Sequence, residues 1–302
     1  MKISVIIPAY NCAKYIGQTL DCVRLQSFPQ RDLEAIVYID GSRDNTSDVV
    51  HSYAKKHPDF NLKIIDSDEN HGVSYARNRA IAMARGEYMH FMDSDDIINT
   101  DFYKNLYDAA HRTNSDVAVS EMVFEYWHEQ DILFNTETIV SVPQDKINIT
   151  CVDTHGYPWR YLIRRRFWTQ HKYCFPENMR YCEDMLVMTT MVTESEHIVV
   201  VPGARYMYMA RPNSLVLSPE LKSPRDIAHD AAVADVEMFL QKNELQPTYD
   251  KCMANTEYKY YRLFNLIPLI VSVTPQNKSY TKFYLFGLFS ILKIRRKLKT
   301  SD

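Results

Sequence analysis

Glycine is scarce in this chain, with seven among 302 residues. No Gly-x-Gly-x-x-Gly run follows the first apolar segment and no Gly-rich loop ends in Gly-Lys, so dinucleotide-binding dehydrogenases and P-loop nucleotide triphosphatases are not indicated. No long hydrophobic run is present either. The apolar stretch Phe283 to Leu292 falls well short of the roughly 20 residues a spanning helix needs, and it is not expected to cross a bilayer. The six cysteines (Cys12, Cys22, Cys151, Cys174, Cys182, Cys252) show no paired short spacing, which points away from zinc and from a disulfide framework and towards free thiols in a reducing cytoplasm. The formal charge of -3 does not announce a nucleic-acid partner. The chain enters a β-like segment at once, without a charged start and apolar stretch, so export is not expected.

What is present is a 46% hydrophobic composition, ample for a large core, and an alternation of β-branched runs with amphipathic segments. That alternation marks an α/β domain around a mainly parallel sheet. Ser4 to Ile7 is an apolar strand, and Tyr15, Ile16, Thr19, Leu20 and Val23 recur behind it at helical spacing. Leu33 to Ile39, Leu62 to Ile65, Tyr88 to Met92 and Val117 to Val123 supply further strands. Helices are expected over Thr46 to Lys56, Val73 to Ala84 and Asp101 to His111, the last with Thr100 as N-cap.

From Trp127 to Pro158 no regular structure is assigned. A helix then begins near Glu183, and strands at His197 to Val201 and Ala204 to Met209 flank a turn at Pro202-Gly203. The α/β unit is expected to close near Ser218, giving residues 1–218 as the main domain, with 1–96 as a nucleotide half and 97–218 as an acceptor half. Residues 219–302 form a C-terminal extension read as three helical segments.

In open α/β sheets ligands bind beyond the carboxyl ends of the strands. Here those ends carry Pro8-Ala9-Tyr10-Asn11, Asp40-Gly41-Ser42 and Asp93-Ser94-Asp95-Asp96. Three carboxylates in four positions after a buried strand repel one another unless a cation or hydrogen-bond donors neutralise them. Oxygen ligands of this kind favour Mg2+ or Mn2+; the plainer alternative is a solvated acidic loop before a helix. Asp40-Gly41 is a common turn pair, yet its carboxylate can also accept from a uracil imide while Tyr10 offers a face to the base. Glu183-Asp184 at a helix start suits either capping or a catalytic base. The preceding Trp159, Arg160, Arg164, Arg165 and Arg166 are able to line a phosphate-bearing site, although arginine runs are also ordinary solvated faces.

Taken in order, Ser4-Val5-Ile6-Ile7-Pro8-Ala9-Tyr10-Asn11, Asp40-Gly41-Ser42-Arg43-Asp44-Asn45-Thr46, Asn70-His71-Gly72 with Ala76-Arg77-Asn78, and Asp93-Ser94-Asp95-Asp96 resemble glycosyltransferase family 2. The likeness continues through Phe175-Pro176-Glu177 and Glu183-Asp184 to Tyr208, Arg211 and Ser214. Each motif alone is weak, whereas the ordered set is specific. The resemblance implies a GT-A fold and a metal-dependent, inverting hexosyltransferase that uses a nucleotide diphosphate sugar, UDP-linked by preference, in cell-surface polysaccharide or lipopolysaccharide synthesis. By the same resemblance Asp184 is the general base, Asp95 the Mn2+ or Mg2+ ligand, and Asp93 a ligand directly or through water. Pro8, Ala9, Tyr10, Asn11, Asp40, Arg77, Asp93 and Ser94 are implied to bind the nucleotide. Trp159, Arg160, Glu183 and Arg211 are candidates for the acceptor or the phosphates.

Two departures stand out. Many relatives have two acids before the glycine of the second motif, whereas Ile39 precedes Asp40 here, which leaves the donor less defined. No Gln-x-x-Arg-Trp follows Asp184, so single transfer is expected rather than processive synthesis. The tail places Tyr280, Phe283, Tyr284, Phe286 and Phe289 before Lys293, Arg295, Arg296, Lys297 and Lys299, as in a helix lying on an anionic inner-membrane surface; packing on the main domain is the alternative. A sugar-phosphate nucleotidyltransferase and a non-catalytic nucleotide-sugar or glycan-binding module are the competing functions, the former lacking its Gly-rich loop here.

Overall fold

The computed structural model describes residues 1–125, 131–209, 224–248, 256–263, 267–275, 280–285 and 289–295. The chain forms two compact units, Met1–Gln246 and Pro247–Asp302. The first opens with four strands in parallel, β1 (Ile3–Ala9), β2 (Leu33–Asp40), β3 (Leu62–Ser67) and β4 (Tyr88–Phe91), joined by helices α1 (Ile16–Arg24), α2 (Thr46–Lys56) and α3 (Val73–Met83). All eight residues of β2 are buried, as a strand covered on both faces must be, and this is why Ala35 to Ile39 read as a continuous apolar run. Ile6 lies beside Ile36 on one side and Phe91 on the other.

After β4 come β5 (Ile97–Ile98), α4 (Phe102–Thr113) and β6 (Val117–Phe124), then β7 (Thr138–Val140) and α5 (Pro143–Thr150). They are followed by β8 (Tyr161–Arg164), α6 (Arg165–Gln170), α7 (Met185–Glu194), β9 (Ile198–Tyr208) and α8 (Pro224–Lys242). One sheet runs β3-β2-β1-β4-β8-β6-β9-β5, with β7 also on β9. β8 is antiparallel to both β4 and β6, so it joins two groups of parallel strands. Two apolar layers sandwich the sheet. Ile16, Leu20 and Val23 of α1 with Phe102 and Leu106 of α4 fill one; Ala76 and Ala80 of α3 with Met188 and Met191 of α7 fill the other.

Several expectations shift. α4 starts after Asp101, not Thr100. Pro202-Gly203 makes no turn between two strands: β9 is continuous and bulges there, Ser120 pairing with Val201 and Glu121 with Arg205, with Gly203 at φ +77°. The stretch left unassigned holds β7 and α5, both too short to show a period. The first unit continues past Ser218, because Ala232, Val236 and Leu240 of α8 are buried in its core. Against the expectation of free thiols throughout, Cys151 is disulfide-bonded, whereas Cys12, Cys22 and Cys174 are free thiols.

The second unit corrects the tail. α8 is the one helix of the extension among the described residues, and beyond it lie four antiparallel strands: β10 (Thr256–Leu263), β11 (Ile267–Pro275), β12 (Tyr280–Leu285) and β13 (Phe289–Arg295). The surface helix expected around Phe283 is therefore absent there. Tyrosine, valine, isoleucine and threonine dominate these segments, and β-branched and aromatic side chains fit a pleated surface better than a helix. Among the described residues no helix is long and apolar enough to cross a membrane.

Candidate active site

The carboxyl ends of β1 to β4 meet at one edge. Leaving β1, Asn11 takes a left-handed φ of 49°, and its amide donates to Ser42 Oγ at 3.1 Å while its Oδ1 accepts from the Arg43 amide at 2.8 Å. Cys12 N donates to Thr46 Oγ1 at 2.9 Å and Ala13 N to Asp44 Oδ2 at 3.1 Å. The loops after β1 and β2 are thus zipped together by the polar residues of the second motif. Tyr10 is left standing outward, 46% exposed, free to meet a planar ligand.

Asp40 is placed at the end of β2 but is heavily engaged. Its carboxylate accepts from Asn70 Nδ2 at 2.9 Å, His71 N at 2.9 Å and Gly72 N at 2.8 Å. It latches the loop after β3 beneath the cleft, which leaves about one of a carboxylate's roughly four acceptor directions for a base. Gly41 next to it sits at φ +61°, and a Cβ there would run into the backbone of Glu69 and Asn70. The loops can close this tightly only around glycine.

In the acidic loop after β4, Asp96 turns away from the mouth. It is fully buried, accepting from Tyr206 Oη at 2.9 Å and from Met209 N at 2.8 Å. Burial, then the charges of Asp93 and Asp95, push its carboxyl well above the ordinary range. The Tyr206 hydroxyl also accepts the Asp93 amide at 3.1 Å, so one phenol from β9 holds both ends of the loop. Asp93, Ser94 and Asp95 remain partly exposed. Behind them Trp159 stacks on Tyr206 at 4.2 Å and on Tyr157 at 5.1 Å, and its carbonyl bonds the buried His90 at 2.8 Å.

Across from this loop stands the start of α7. Arg77 of α3 donates from Nη1 to Glu183 Oε1 at 2.7 Å and from Nη2 to Asp93 Oδ1 at 3.3 Å. Burial opposes its charge, but Glu183, Asp93 and Asp184 outweigh it and raise its pKa. Asp184 is the N-cap residue of α7, yet its side chain makes no capping bond, so capping does not explain it. Burial and the neighbouring Glu183 push the Asp184 carboxyl up to about 7, against the pull of Arg77. A carboxylate poised near neutrality suits a general base.

Two of the arginine-run candidates are corrected. Trp159 and Arg160 are 3% and 0% exposed, taken up by ring stacking and by backbone carbonyls rather than presented on an open surface. Arg160 donates to the carbonyls of Thr150 at 2.7 Å and His155 at 3.3 Å. Arg164 pairs with Glu87 at 3.2 Å and Asp116 at 3.3 Å, and Arg165 bonds Gly86 O at 2.7 Å. These arginines tie β8 into the sheet rather than line a phosphate site. Arg211 and Ser214 lie outside the described residues. Sequence reasoning missed Tyr206, which lies 110 residues from Asp96 and carries no local signal. It also gave no role to Asn78, whose side chain pairs with both backbone atoms of Phe175 at 2.8 and 3.0 Å.

Among the described residues no three His, Cys, Asp or Glu side chains gather around a common point as a complete metal cage would require. The acids still fit a Mg2+ or Mn2+ completed by substrate phosphates and water, for such ions take only one or two protein carboxylates. Burial is the main cause of the raised Asp96 carboxyl, and the smaller contribution from the charges of Asp93 and Asp95 is the part that a cation beside those two would relieve.

A strand-edge site with outward tyrosine, acidic loop and opposing carboxylate, on this sheet order, defines a GT-A type fold. A family model described as Glycosyl transferase family 2 matches residues 4–181, and the chain belongs to that family. It is 30% identical over 242 residues to the poly(ribitol-phosphate) beta-N-acetylglucosaminyltransferase TarS of Staphylococcus aureus, covering 79% of this chain and 41% of TarS. It is 28% identical over 224 residues to the uncharacterized glycosyltransferase EpsJ of Bacillus subtilis, covering 72% of this chain and 63% of EpsJ. The chain therefore spans less than two thirds of these relatives. The structure of S. aureus TarS 1–349 in complex with UDP-GlcNAc superposes with a TM-score of 0.69 at 27% identity, over 84% of this chain and 71% of that one. A mannosyltransferase from Pyrobaculum calidifontis, in complex with GDP-Man and Mn2+, shares the fold at a TM-score of 0.53 and 18% identity, covering 80% of this chain and 75% of that one.

Proposed function

We propose that the chain transfers a single sugar from a UDP-sugar to a hydroxyl of a glycan or glycolipid, inverting the anomeric carbon, during synthesis of a cell-surface polysaccharide, lipopolysaccharide or related polymer. The observation that carries this is Asp184, its carboxyl raised to about 7 and tied through Glu183 and Arg77 to the acidic loop. A relative seen in complex with UDP-GlcNAc, and relatives named as poly(ribitol-phosphate) sugar transferases, favour the same donor and a phosphate-rich or glycan acceptor.

In this reading residues 1–96 take the nucleotide and 97–218 the acceptor. Tyr10 stacks on the base, Asp40 offers its remaining acceptor direction to the imide, and Pro8, Ala9, Asn11 and Ser94 line the ribose and phosphates. Asp184 takes the proton from the acceptor hydroxyl as its oxygen attacks the anomeric carbon. The bond from that carbon to the β-phosphate oxygen breaks on the opposite face, and its electron pair leaves with UDP. A Mn2+ or Mg2+ held by Asp95, with Asp93 direct or through water, would neutralise charge on the departing diphosphate. A lipid-linked acceptor would be met at the cytoplasmic face of a membrane, where Lys293, Arg295, Arg296, Lys297 and Lys299 supply attraction to anionic lipid.

The test is a calorimetric and hydrolysis screen of uridine, guanosine and thymidine diphosphate sugars, each with Mn2+, with Mg2+ and with chelator. Preferential, cation-dependent binding and turnover of one UDP-sugar is expected. Equal response to all donors, or indifference to chelator, would overturn the donor and metal assignments respectively.

A further inference from the structure

We infer that the turn from Thr150 to Tyr157 holds a small monovalent anion against one edge of the Arg160 guanidinium, a site separate from those proposed for donor and acceptor. Arg160 is 0% exposed. Its Nη1 donates to the carbonyls of Thr150 at 2.7 Å and His155 at 3.3 Å, whereas Nε and Nη2 have no hydrogen-bond partner. Those two nitrogens send parallel N–H bonds from a single edge of the planar group, the edge with which arginine grips an anion at two points. The guanidinium cannot shed its proton to escape the cost of burial, so two orphan donors on one edge call for a negative partner.

Carboxylates do not meet that need here. At the equally buried Arg77, acids outweigh burial and raise the pKa; at Arg160 burial lowers it, countered by the phenols of Tyr161 and Tyr157 and by no carboxylate. His155 is driven down to about 4, first by burial and then by the Arg160 charge, so it stays neutral. One positive charge is therefore left to balance. A halide matches it, while a doubly charged phosphate would bury a surplus negative charge at further desolvation cost. The turn also bears on α7: a Cβ on Gly156 would lie 3.3 Å from Met185 Cα, and Thr189 Oγ1 donates to the Val152 carbonyl at 3.3 Å. The anion thus completes the turn against which the helix headed by Asp184 rests.

The experiment uses the full chain and reads its thermal midpoint at one ionic strength while sodium gluconate, whose anion is too bulky for a closed site, is exchanged for sodium chloride or sodium bromide. A saturable rise is expected, about 5 °C or more once chloride exceeds its dissociation constant about 100-fold. Arg160→Met should abolish the dependence on the anion, whatever its own midpoint. Should that variant not fold, crystals of the unaltered protein soaked in bromide decide: an anomalous peak in hydrogen-bonding contact with both Nε and Nη2 of Arg160 is expected. Equal midpoints in gluconate and chloride, or a halide rise that survives in Arg160→Met, would overturn the site. Bromide-soaked crystals with water and no anomalous peak at Nε would do the same. No nucleotide sugar enters these measurements, so the anion site and the donor assignment stand or fall separately.

Discussion

Residues 3–96 and residues 117–209 share one sheet, yet they reach the site by different means. In the first region each strand is followed by its own loop, so Tyr10, Asp40 and Asp93 arrive at one edge by simple repetition of strand, turn and helix. In the second, the antiparallel β8 is inserted between β4 and β6, Arg160 and Arg164 at its two ends are spent on carbonyls and carboxylates, and Glu183, next to Asp184, is bonded by a residue on α3. Local order delivers the donor side. Long-range contacts deliver the opposing carboxylate.

That contrast can be broken first at Asp184. Asp184→Asn should lower transfer by about 10³-fold, in the range for loss of a general base, with UDP binding by calorimetry unchanged. A similar loss of both would move Asp184 to the donor side. The pH profile follows the same group: kcat/KM should fall as pH drops through about 7, because the base must be ionised to accept a proton. Stability runs the other way. A folded-state pKa raised from 3.8 to about 7 means the folded chain holds this proton more tightly than the unfolded one. Stability gained below about 3.8 is lost as pH rises towards 7, so Asp184→Asn should raise the thermal midpoint at pH 8.

Trp168 is 1% exposed and packs against Phe91 at 5.6 Å and Phe175 at 5.6 Å. Trp168→Ala should cost about 3–5 kcal/mol in urea unfolding. A cost near that of a surface substitution would show that this side of the sheet does not depend on its core. Tyr206→Phe deletes one hydroxyl and strands the Asp93 amide and Asp96 together. A loss of about 1–3 kcal/mol is expected, with more Mn2+ needed for half-maximal activity. If the Mn2+ requirement does not move, Tyr206 is no support for the acidic loop. The smallest effect belongs to Arg166→Ala, an exposed position on α6. Stability should stay within about 0.5 kcal/mol and donor KM should not change, whereas a rise in KM would return the arginine run to phosphate binding.

Much of the first region was legible because its signals are short. The predicted span of α2 matches the structure, and β2 differs from its predicted span by the one residue Asp40. The acidic loop, the Asp40 turn and Glu183-Asp184 are local motifs whose order alone restricts the family. β8 was hidden since three apolar residues flanked by arginines look like a basic loop. β7 and α5 were hidden by their length. The tail was misread because Tyr280, Phe283 and Tyr284 fit a helical stripe as well as a strand, and short apolar runs are ambiguous between the two.

By itself the sequence determined the parallel α/β core, the edge at which ligands bind, and the identities of the acids there, since hydrophobic period and the residues ending each strand are properties of neighbours along the chain. Only the tertiary structure decided which of those acids face the cleft. Asp96 is turned inward by Tyr206, Asp40 is taken up by the loop at His71, and Trp159 and Arg160 are buried. It alone brought Arg77 between Asp93 and Glu183, because the partner that satisfies a buried charge is set by packing and not by position in the chain.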